Sequence, residues 1–197
     1  SSASSIIRIR ITQKGDDVTI HEPDGTQIHW TENSGDCSQI ARIDAKGDVH
    51  TLGTRTYRGI LECRLIDGAL VIINELPLES YLQGLAEEPD TEPYEKQRAF
   101  AIAARSYALY YMSPDHRKFP GMPYDGTDSP AQFQIYTGAS FAAANPHWLR
   151  AVTSTSEQVL TINDAVIKVP YFSSDDGRTR TPEEAGWTHF PHAEVFA

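Results

Sequence analysis

Several features that would define common protein classes are missing from this sequence. It has no apolar run approaching the ~20 residues that span a bilayer. Its first residues, 1–5, carry neither the charged nor the apolar region of a signal peptide. With 17 Lys and Arg against 27 Asp and Glu, the net charge of -10 does not suit a phosphate backbone. We expect no transmembrane segment here, an export signal or anchor removed upstream, and no nucleic-acid partner.

Motifs of several enzyme classes are also missing. There is no G-x-S-x-G elbow, no H-E-x-x-H pair and no phosphate-binding glycine loop, which argues against serine hydrolases, zinc proteases and nucleotide enzymes. His189 and His192 have a spacing that can bind metals on a helix, but Pro191 lies between them and no third ligand is evident. The sequence therefore predicts no metal and no cofactor.

Cysteine is scarce. Cys37 and Cys63 lie too far apart for a C-x-x-C redox or zinc pair. A disulfide between them would suit an oxidising, extracytoplasmic compartment. The sequence leaves open whether they are paired or free.

The first third of the chain has the alternation of β-strands. Residues 6–74 contain apolar and polar residues in alternation, separated by turn signals such as Asp67-Gly68. We expect an antiparallel meander there, with a hairpin formed by residues 57–66 and 69–73 around a two-residue turn.

Helical spacing begins after this hairpin. The pattern predicts a short helix from Leu76 to Leu85 and a longer one from Pro93 to Met112, which is rich in alanine and ends at Ser113-Pro114. A further helix is expected around residues 148–152.

The rest of the chain predicts a loop and strands. Residues 115–129 contain glycines and prolines among polar residues and should form a long irregular loop, a common location for binding groups. Strands are expected at residues 158–162 and 166–172, followed by a loop-like end at 181–197. The fold class is therefore α+β, with N-terminal antiparallel strands, a central helical segment and C-terminal strands.

A group of carboxylates lies between the two central helices. Glu87, Glu88, Asp90 and Glu92 are close in sequence, and crowded or partly buried carboxyls can retain a proton near neutral pH. One of them could serve as a general acid. The alternative is that Asp90 and Glu92 complement the dipole of the following helix and the others are solvated.

Two other positions carry candidate functional groups. Arg105 interrupts an apolar, alanine-rich helix, so its guanidinium should have a carboxylate or carbonyl partner, either as a structural ion pair or to orient an active carboxylate. Residues 171–179 end a strand with clustered hydroxyls and a glycine. They could donate hydrogen bonds to a sugar or simply form a turn.

Several blocks of sequence occur in the order found in the SpoIID/LytB family, which this chain resembles. They are Y-R-G at 57–59, N-E-L-P-L-E-S-Y-L-Q-G at 74–84, A-I-A-A-R-S-Y-A-L at 101–109, Asp128 with Q-I-Y-T-G at 134–138, Ala151-Val152 with Thr155, and Y-F-S-S to G-R-T at 171–179. The resemblance implies a single domain over 1–197, with a β-rich part at 1–56 and a motif-bearing core at 57–190. Whether the domain continues past residue 197 stays open.

The resemblance implies a function at the bacterial cell wall. Characterised family members include lytic transglycosylases that cut peptidoglycan glycan strands stripped of their stem peptides, and others described as enhancers of a cell-wall amidase. The family's catalytic glutamate stands in an E-M-P context, for which Glu88-Pro89 is the closest match and Glu87 the alternative. The methionine is missing here, and Phe100 replaces a glutamine of the family's K-A-Q-A block.

A lone glutamate suits transglycosylation. Ordinary glycosidases use two carboxylates, whereas the C6 hydroxyl of muramic acid can attack its own anomeric carbon, so one residue acts as acid and then base. The resemblance therefore implies a lytic transglycosylase, exported and facing the cell wall. The alternatives are a non-catalytic peptidoglycan-binding or amidase-enhancing module, and a hydrolase in which Asp90, Glu92 or Asp128 is the second carboxylate.

The resemblance also implies which residues form the site. Catalysis would depend on Glu88, or Glu87, with Arg105 holding neighbouring groups. We expect a groove lined by these residues, the loop before Gln134 and the strand end at 171–179. The substrate-binding residues would be Asp128, Gln134, Tyr136, Tyr171, Ser173, Ser174, Arg178 and Thr179.

Overall fold

The computed structural model of the chain describes residues 5–169, 171 and 184. Most strands lie in the first part of the chain and most helices in the second, which confirms the α+β class. The strands are β1 (Ile6–Ile11), β2 (Asp17–His21), β3 (Gln27–Thr31), β4 (Ala41–Asp44), β5 (His50–Leu52), β6 (Arg55–Tyr57), β7 (Ile60–Ile66), β8 (Ala69–Pro77), β9 (Gly126–Thr127), β10 (Thr161–Ile162) and β11 (Ala165–Val166). The helices are α1 (Gly35–Ser38), α2 (Leu78–Gln83), α3 (Tyr94–Met112), α4 (Ala139–Ala144) and α5 (Pro146–Ser154), with a 3₁₀ turn at Pro114–His116.

A five-stranded sheet forms the centre of the fold, in the order β4-β7-β8-β1-β9. Its strands are antiparallel except that β1 and β9 are parallel. Alternate residues of β1, namely Ile7, Ile9 and Ile11, are buried in the main core. A smaller apolar cluster of Val71, Ile73 and Tyr124 lies apart from this core.

The prediction of one N-terminal meander is wrong. β1 pairs with β8 and β9 and not with β2, while β2 belongs to a second, four-stranded sheet with the order β3-β2-β5-β6. Turn residues show where the chain reverses, but they do not show which strand is the partner. The long-range pairing of β1 therefore left no local signal.

The predicted hairpin is confirmed as β7 and β8. Asp67 and Gly68 have φ angles of 51° and 80°, and positive φ at both central residues is what a type I′ turn requires. The seven paired positions extend from Ile60 opposite Glu75 to Ile66 opposite Ala69. Because β8 continues to Pro77, it delivers the chain directly into α2.

The long central helix is confirmed as α3, and it ends at Met112 as predicted. Its small buried residues Ala101, Ala104 and Ala108 repeat at three- and four-residue intervals, so they form one face of the helix. The first predicted helix is shorter than expected, because Leu76 and Pro77 are the end of β8.

Other predicted elements differ in detail. The helix expected around 148–152 is α5, but α4 before it was not predicted. The loop at 115–129 contains a 3₁₀ turn and the short strand β9. The C-terminal strands predicted at 158–162 and 166–172 are reduced to the two-residue strands β10 and β11 in the described part.

Cys37 and Cys63 form a disulfide that connects α1 to β7, with their Cα atoms 5.0 Å apart. Both residues are buried. Among the helices that the structure describes, none has the length and apolar character needed to cross a bilayer.

Candidate functional site

The acidic segment between α2 and α3 lies against the chain that follows Gln134. The backbone amide of Ala86 donates to the carbonyl of Ile135 at 2.9 Å, and that of Thr137 donates to the carbonyl of Gly84 at 2.9 Å. Gly84 permits this approach, since a Cβ there would lie 2.6 Å from the Tyr136 ring. Backbone pairing thus fixes the position of the segment that carries the carboxylates.

Glu87 points toward this pairing. Its Oε1 accepts a hydrogen bond of 2.8 Å from the backbone N–H of Ile135 and a longer one of 3.5 Å from the hydroxyl of Tyr171. Burial raises the pKa of the Glu87 carboxyl, the two donors lower it in part, and the charge of Glu88 raises it further. The net shift is upward, so the carboxyl retains its proton at higher pH than an ordinary glutamate.

Buried polar side chains support Tyr171. Gln134 is fully buried, and its Nε2 donates to the Tyr171 hydroxyl at 2.8 Å. Its Oε1 accepts a 2.9 Å hydrogen bond from the hydroxyl of Tyr81, which is also buried. These bonds give Gln134 a fixed orientation and leave the Tyr171 hydroxyl free to donate its proton toward Glu87.

Tyr171, whose hydroxyl donates to Glu87, packs among other aromatic rings. The ring of Tyr171 packs edge-on against Phe100, with centroids 4.9 Å apart, and lies 5.8 Å from the ring of Tyr107. Burial raises the pKa of Tyr107 and Tyr171, and the nearby charge of Glu87 raises it further. The two hydrogen-bond donors of Glu87 are therefore neutral groups, and one of them belongs to an aromatic cluster.

Glu88 has a different environment. Its Oε2 lies 3.1 Å from Nζ of Lys96, which also forms a 2.9 Å ion pair with Glu92. The ammonium of Lys96 is about half exposed. Glu88 is thus paired with a solvated cation, whereas the hydrogen-bond donors of Glu87 are neutral.

The end of the acidic segment is held by α3 and α5. The buried side chain of Gln97 donates to the carbonyls of Asp90 at 3.1 Å and Glu92 at 3.0 Å. The Asp90 carboxylate accepts a 2.8 Å hydrogen bond from the backbone N–H of Trp148 in the first turn of α5. Asp90 therefore caps α5 and not α3, the helix whose dipole it was expected to complement.

Arg105 does not line a groove, contrary to expectation, because only 1% of it is exposed. Its Nε and Nη2 donate to the two oxygens of Glu79 at 2.7 and 2.9 Å, and it also bonds the carbonyls of Val152 and Gln158. Arg105 therefore has the kind of partner that the sequence predicts, and that partner is the carboxylate of Glu79. The pair connects α2 to α3, and the bond to Val152 connects α3 to α5.

Asp128 and Tyr136 are not brought to Glu87 by any recorded side-chain contact. Asp128 Oδ1 accepts from the backbone N–H of Thr12 at 3.1 Å and the Thr12 hydroxyl at 2.5 Å, and its Oδ2 lies 3.4 Å from Arg55. It lines a polar cleft of about 830 Å³ beside the N-terminal strands. The buried hydroxyl of Tyr136 donates to Asn74 at 2.8 Å.

The remaining predicted residues are Ser173, Ser174, Arg178 and Thr179, together with the histidines at 189 and 192. They lie outside the described residues.

Sequence reasoning missed several contributors to the site. The amide of Ile135 is a backbone group and has no sequence signature. Tyr81, Tyr107 and Gln97 resemble ordinary residues of helices. One available signal was Gln97, since an amide on the buried face of a helix needs partners.

Comparison with known families shows which class of protein this region matches. A family model described as "Stage II sporulation protein", SpoIID, matches residues 67–162, which include α2, the acidic segment, α3 and α5. Over these residues the chain belongs to the SpoIID family.

Two relatives give particular comparisons. The chain is 32% identical over 129 residues to stage II sporulation protein D of Bacillus subtilis, covering 59% of this chain and 36% of the relative. It is 27% identical over 150 residues to an uncharacterized protein of Brachyspira hyodysenteriae, covering 74% of this chain and 38% of the relative. The chain thus spans little more than a third of the length of these curated relatives.

Proposed function

We propose that this chain cleaves the glycan strands of peptidoglycan as a lytic transglycosylase, with Glu87 as its acid and base. Membership of the SpoIID family supports a role at the cell wall. The observation that carries the proposal is the contrast within the acidic segment. Glu87 has a raised pKa and neutral hydrogen-bond donors, whereas Glu88 is paired with Lys96.

The choice of Glu87 also agrees with the register of the family motif. When Pro89 is aligned with the proline of E-M-P, Glu87 takes the place of the glutamate and Glu88 that of the methionine. The match of Glu88-Pro89 to E-M-P omits the intervening position of the motif. The structure supports Glu87 independently, because this carboxyl is the one in contact with Ile135 and Tyr171.

The mechanism needs a single carboxyl. Protonated Glu87 donates its proton to the glycosidic oxygen as the bond to the muramic acid anomeric carbon breaks. The C6 hydroxyl of the same sugar then attacks that carbon, and the Glu87 carboxylate accepts the hydroxyl proton. The products are a 1,6-anhydromuramic end and a new free hydroxyl, and the enzyme returns to its protonated form.

The other carboxylates considered for a hydrolytic mechanism have structural partners. Asp90 caps α5, Glu92 pairs with Lys96, and Asp128 is bonded to Thr12. A hydrolase would need one of them to activate water opposite Glu87. Because these three carboxylates already have partners within the protein, the mechanism in which the sugar hydroxyl attacks is favoured.

A non-catalytic wall-binding or amidase-enhancing module is the second candidate. It is favoured by one departure from the family pattern, the replacement of a glutamine by Phe100. Phe100 packs against the rings of Tyr171 and Trp148. Because its side chain has no polar atom, it cannot replace a hydrogen bond of the glutamine to the substrate. In such a module the same surface would bind glycan without cutting it.

An extracytoplasmic location follows from the proposed substrate, because peptidoglycan lies outside the membrane. The Cys37–Cys63 disulfide supports this location, since disulfides persist in oxidising compartments. The partners would be glycan strands and, for the second candidate, a cell-wall amidase.

The test is incubation of the purified chain with peptide-free glycan strands, followed by mass spectrometry of the soluble products. We expect anhydromuramic ends from the wild type and from Glu88→Gln, and at least a 100-fold loss of rate in Glu87→Gln. Reducing ends would indicate a hydrolase. Binding to insoluble peptidoglycan without soluble products, or activation of an added amidase, would favour the second candidate.

Comparison of Glu87→Gln with Glu88→Gln also tests which of the two glutamates is the acid. The two variants make the same chemical change at neighbouring positions. Loss of activity in Glu88→Gln with retention in Glu87→Gln would overturn the choice of Glu87.

A further inference from the structure

An aromatic surface next to Glu87 holds a lysine that the proposed mechanism does not use. Nζ of Lys118 lies 5.4 Å from the ring centroid of Tyr107, 5.1 Å from that of Tyr111 and 5.9 Å from that of Phe133. It also donates a 2.8 Å hydrogen bond to the Tyr107 hydroxyl. Contacts with three rings fix the ammonium in place, since each ring face attracts a cation.

A second cation approaches the same rings. Nζ of Lys168 lies 5.8 Å from the centroid of Tyr111. Burial lowers the pKa of Lys118, and the charge of Lys168 lowers it further. Two ammonium groups thus converge in a protein whose net charge is -10.

The charge of Lys118 has no carboxylate beside it. Among residues 5–169, 171 and 184, no acidic side chain forms an ion pair with this ammonium. By contrast, Lys96 binds two carboxylates and Arg98 pairs with Glu95. An anion bound at Lys118 would supply a counter-charge for this ammonium, which gives this surface an affinity for negative charge.

This surface is contiguous with the proposed catalytic carboxyl. The Tyr107 ring, which binds Lys118, lies 5.8 Å from that of Tyr171, whose hydroxyl donates to Glu87. The charge of Glu87 also contributes to the raised pKa of Tyr107. An anionic group bound at Lys118 would therefore belong to the substrate that reaches Glu87.

We propose that Lys118, together with the rings of Tyr107 and Tyr111, forms a subsite that binds a carboxylate of the glycan substrate beside Glu87. The inference rests on the proposed function and adds a specificity determinant to it. Lysine binds such a group as a point charge, and the aromatic rings can pack against the apolar faces of sugars. The carboxylate can come from the lactyl group of muramic acid or from an attached peptide.

The test measures binding to the Glu87→Gln protein, which prevents turnover. Four soluble probes separate the sources of charge: peptide-free wall glycan fragments, peptide-bearing fragments, peptide-free fragments with amidated carboxyls, and neutral chitin oligosaccharides. Lys118→Met retains an apolar side chain over the rings while removing the charge. Lys46→Met, in the turn between β4 and β5, makes the same charge change elsewhere.

We expect Lys118→Met to weaken binding of the peptide-free fragments about tenfold and to reduce its salt dependence. Binding of the amidated and neutral probes should change less than twofold, and Lys46→Met should have no effect on any probe. If only the peptide-bearing fragments lose affinity, the carboxylate is that of the peptide. Equal losses for charged and neutral probes would overturn the proposal, as would unchanged binding of every probe.

Failure of this inference is distinguishable from failure of the proposed function. Anhydromuramic products from the wild type, with binding that is insensitive to Lys118, would retain the transglycosylase and reject the subsite. Charge-dependent binding without any product would retain the subsite in a non-catalytic module. A thermal melt of each variant confirms that the comparison is made between folded proteins.

Discussion

Two buried or partly buried glutamates of this protein have opposite electrostatic environments. Glu62, on β7, is fully buried, and its oxygens lie 2.8, 2.5 and 2.6 Å from the guanidinium groups of Arg8, Arg42 and Arg64. Burial would raise its pKa, but hydrogen bonds and charges from Arg8 and Arg64 outweigh it, and the pKa is lowered. Glu87 has neutral donors, and its pKa is raised.

The difference shows that burial alone does not create a general acid. A carboxylate surrounded by guanidinium groups is held in its charged form and stabilises the fold. A carboxyl that receives only an amide and a hydroxyl keeps its proton to higher pH and can transfer it. The choice of partners therefore separates a structural glutamate from a candidate catalytic one.

The largest expected effect on stability concerns Glu62. Replacement by glutamine retains its shape but removes the carboxylate shared by Arg8, Arg42 and Arg64. Arg8 and Arg42 keep their second partner, Glu75, so Glu62→Gln should lower the free energy of unfolding by about 2–3 kcal/mol. Glu87→Gln should change it by less than ~1 kcal/mol, since no ion pair is lost. Urea denaturation of both variants at neutral pH measures the difference.

The stabilisation that Glu62 contributes depends on pH. Because the pKa of Glu62 is lowered on folding, its stabilisation is present above the ordinary glutamate pKa of about 4.3 and is lost as pH falls through the folded value. The stability gap between wild type and Glu62→Gln should therefore close below about pH 4. A Glu62→Gln protein as stable as the wild type at pH 7 would show that the arginines do not need this carboxylate.

Tyr171→Phe should have an intermediate effect, which is expected on the pH dependence of activity. The hydroxyl lowers the pKa of Glu87, so its removal should raise that pKa further. A general acid is active when protonated, and activity falls as pH rises through its pKa. The falling limb of the pH–rate profile should therefore move to higher pH, with the rate reduced about three- to tenfold.

Tyr110→Phe is the matched control: its ring stacks on His116 and packs edge-on against Tyr111, whereas the hydroxyl that donates to Glu87 is that of Tyr171. Its profile should coincide with that of the wild type. If the falling limb of the pH–rate profile moved to lower pH in Tyr171→Phe, this would contradict the assignment of the Tyr171 hydroxyl as a donor to Glu87.

Lys96→Met should have the smallest effect on both stability and activity. This substitution removes the cation that pairs with Glu88 and Glu92. Exposed ion pairs of this kind contribute about 0–1 kcal/mol to stability, and the activity measured on peptide-free glycan should stay within threefold of the wild type. A loss of tenfold or more would make Glu88 the stronger candidate for the acid.

Local features of the fold could be predicted from the sequence. The hairpin turn at Asp67-Gly68 and the alanine-rich α3 are specified by residues close together in the chain. The pairing of β1 with β8 and β9 could not be predicted, because it joins segments far apart in sequence and leaves only the alternation of a strand.

The candidate site shows the same limit. The position of the acidic segment between α2 and α3 could be predicted. The choice between Glu87 and Glu88 could not, because it depends on the amide of Ile135 and the hydroxyl of Tyr171, 48 and 84 residues away. The need of Arg105 for a partner was predictable, but the identity of Glu79 was not.

The most direct test of the central claim is a site-specific ¹³C NMR titration of the side-chain carboxyls, assigned with Glu62→Gln and Glu87→Gln. We predict that Glu87 titrates above, and Glu62 below, the ordinary glutamate pKa of about 4.3 in the same sample. A Glu87 carboxyl that titrates at or below the ordinary value would contradict its role as the proton donor.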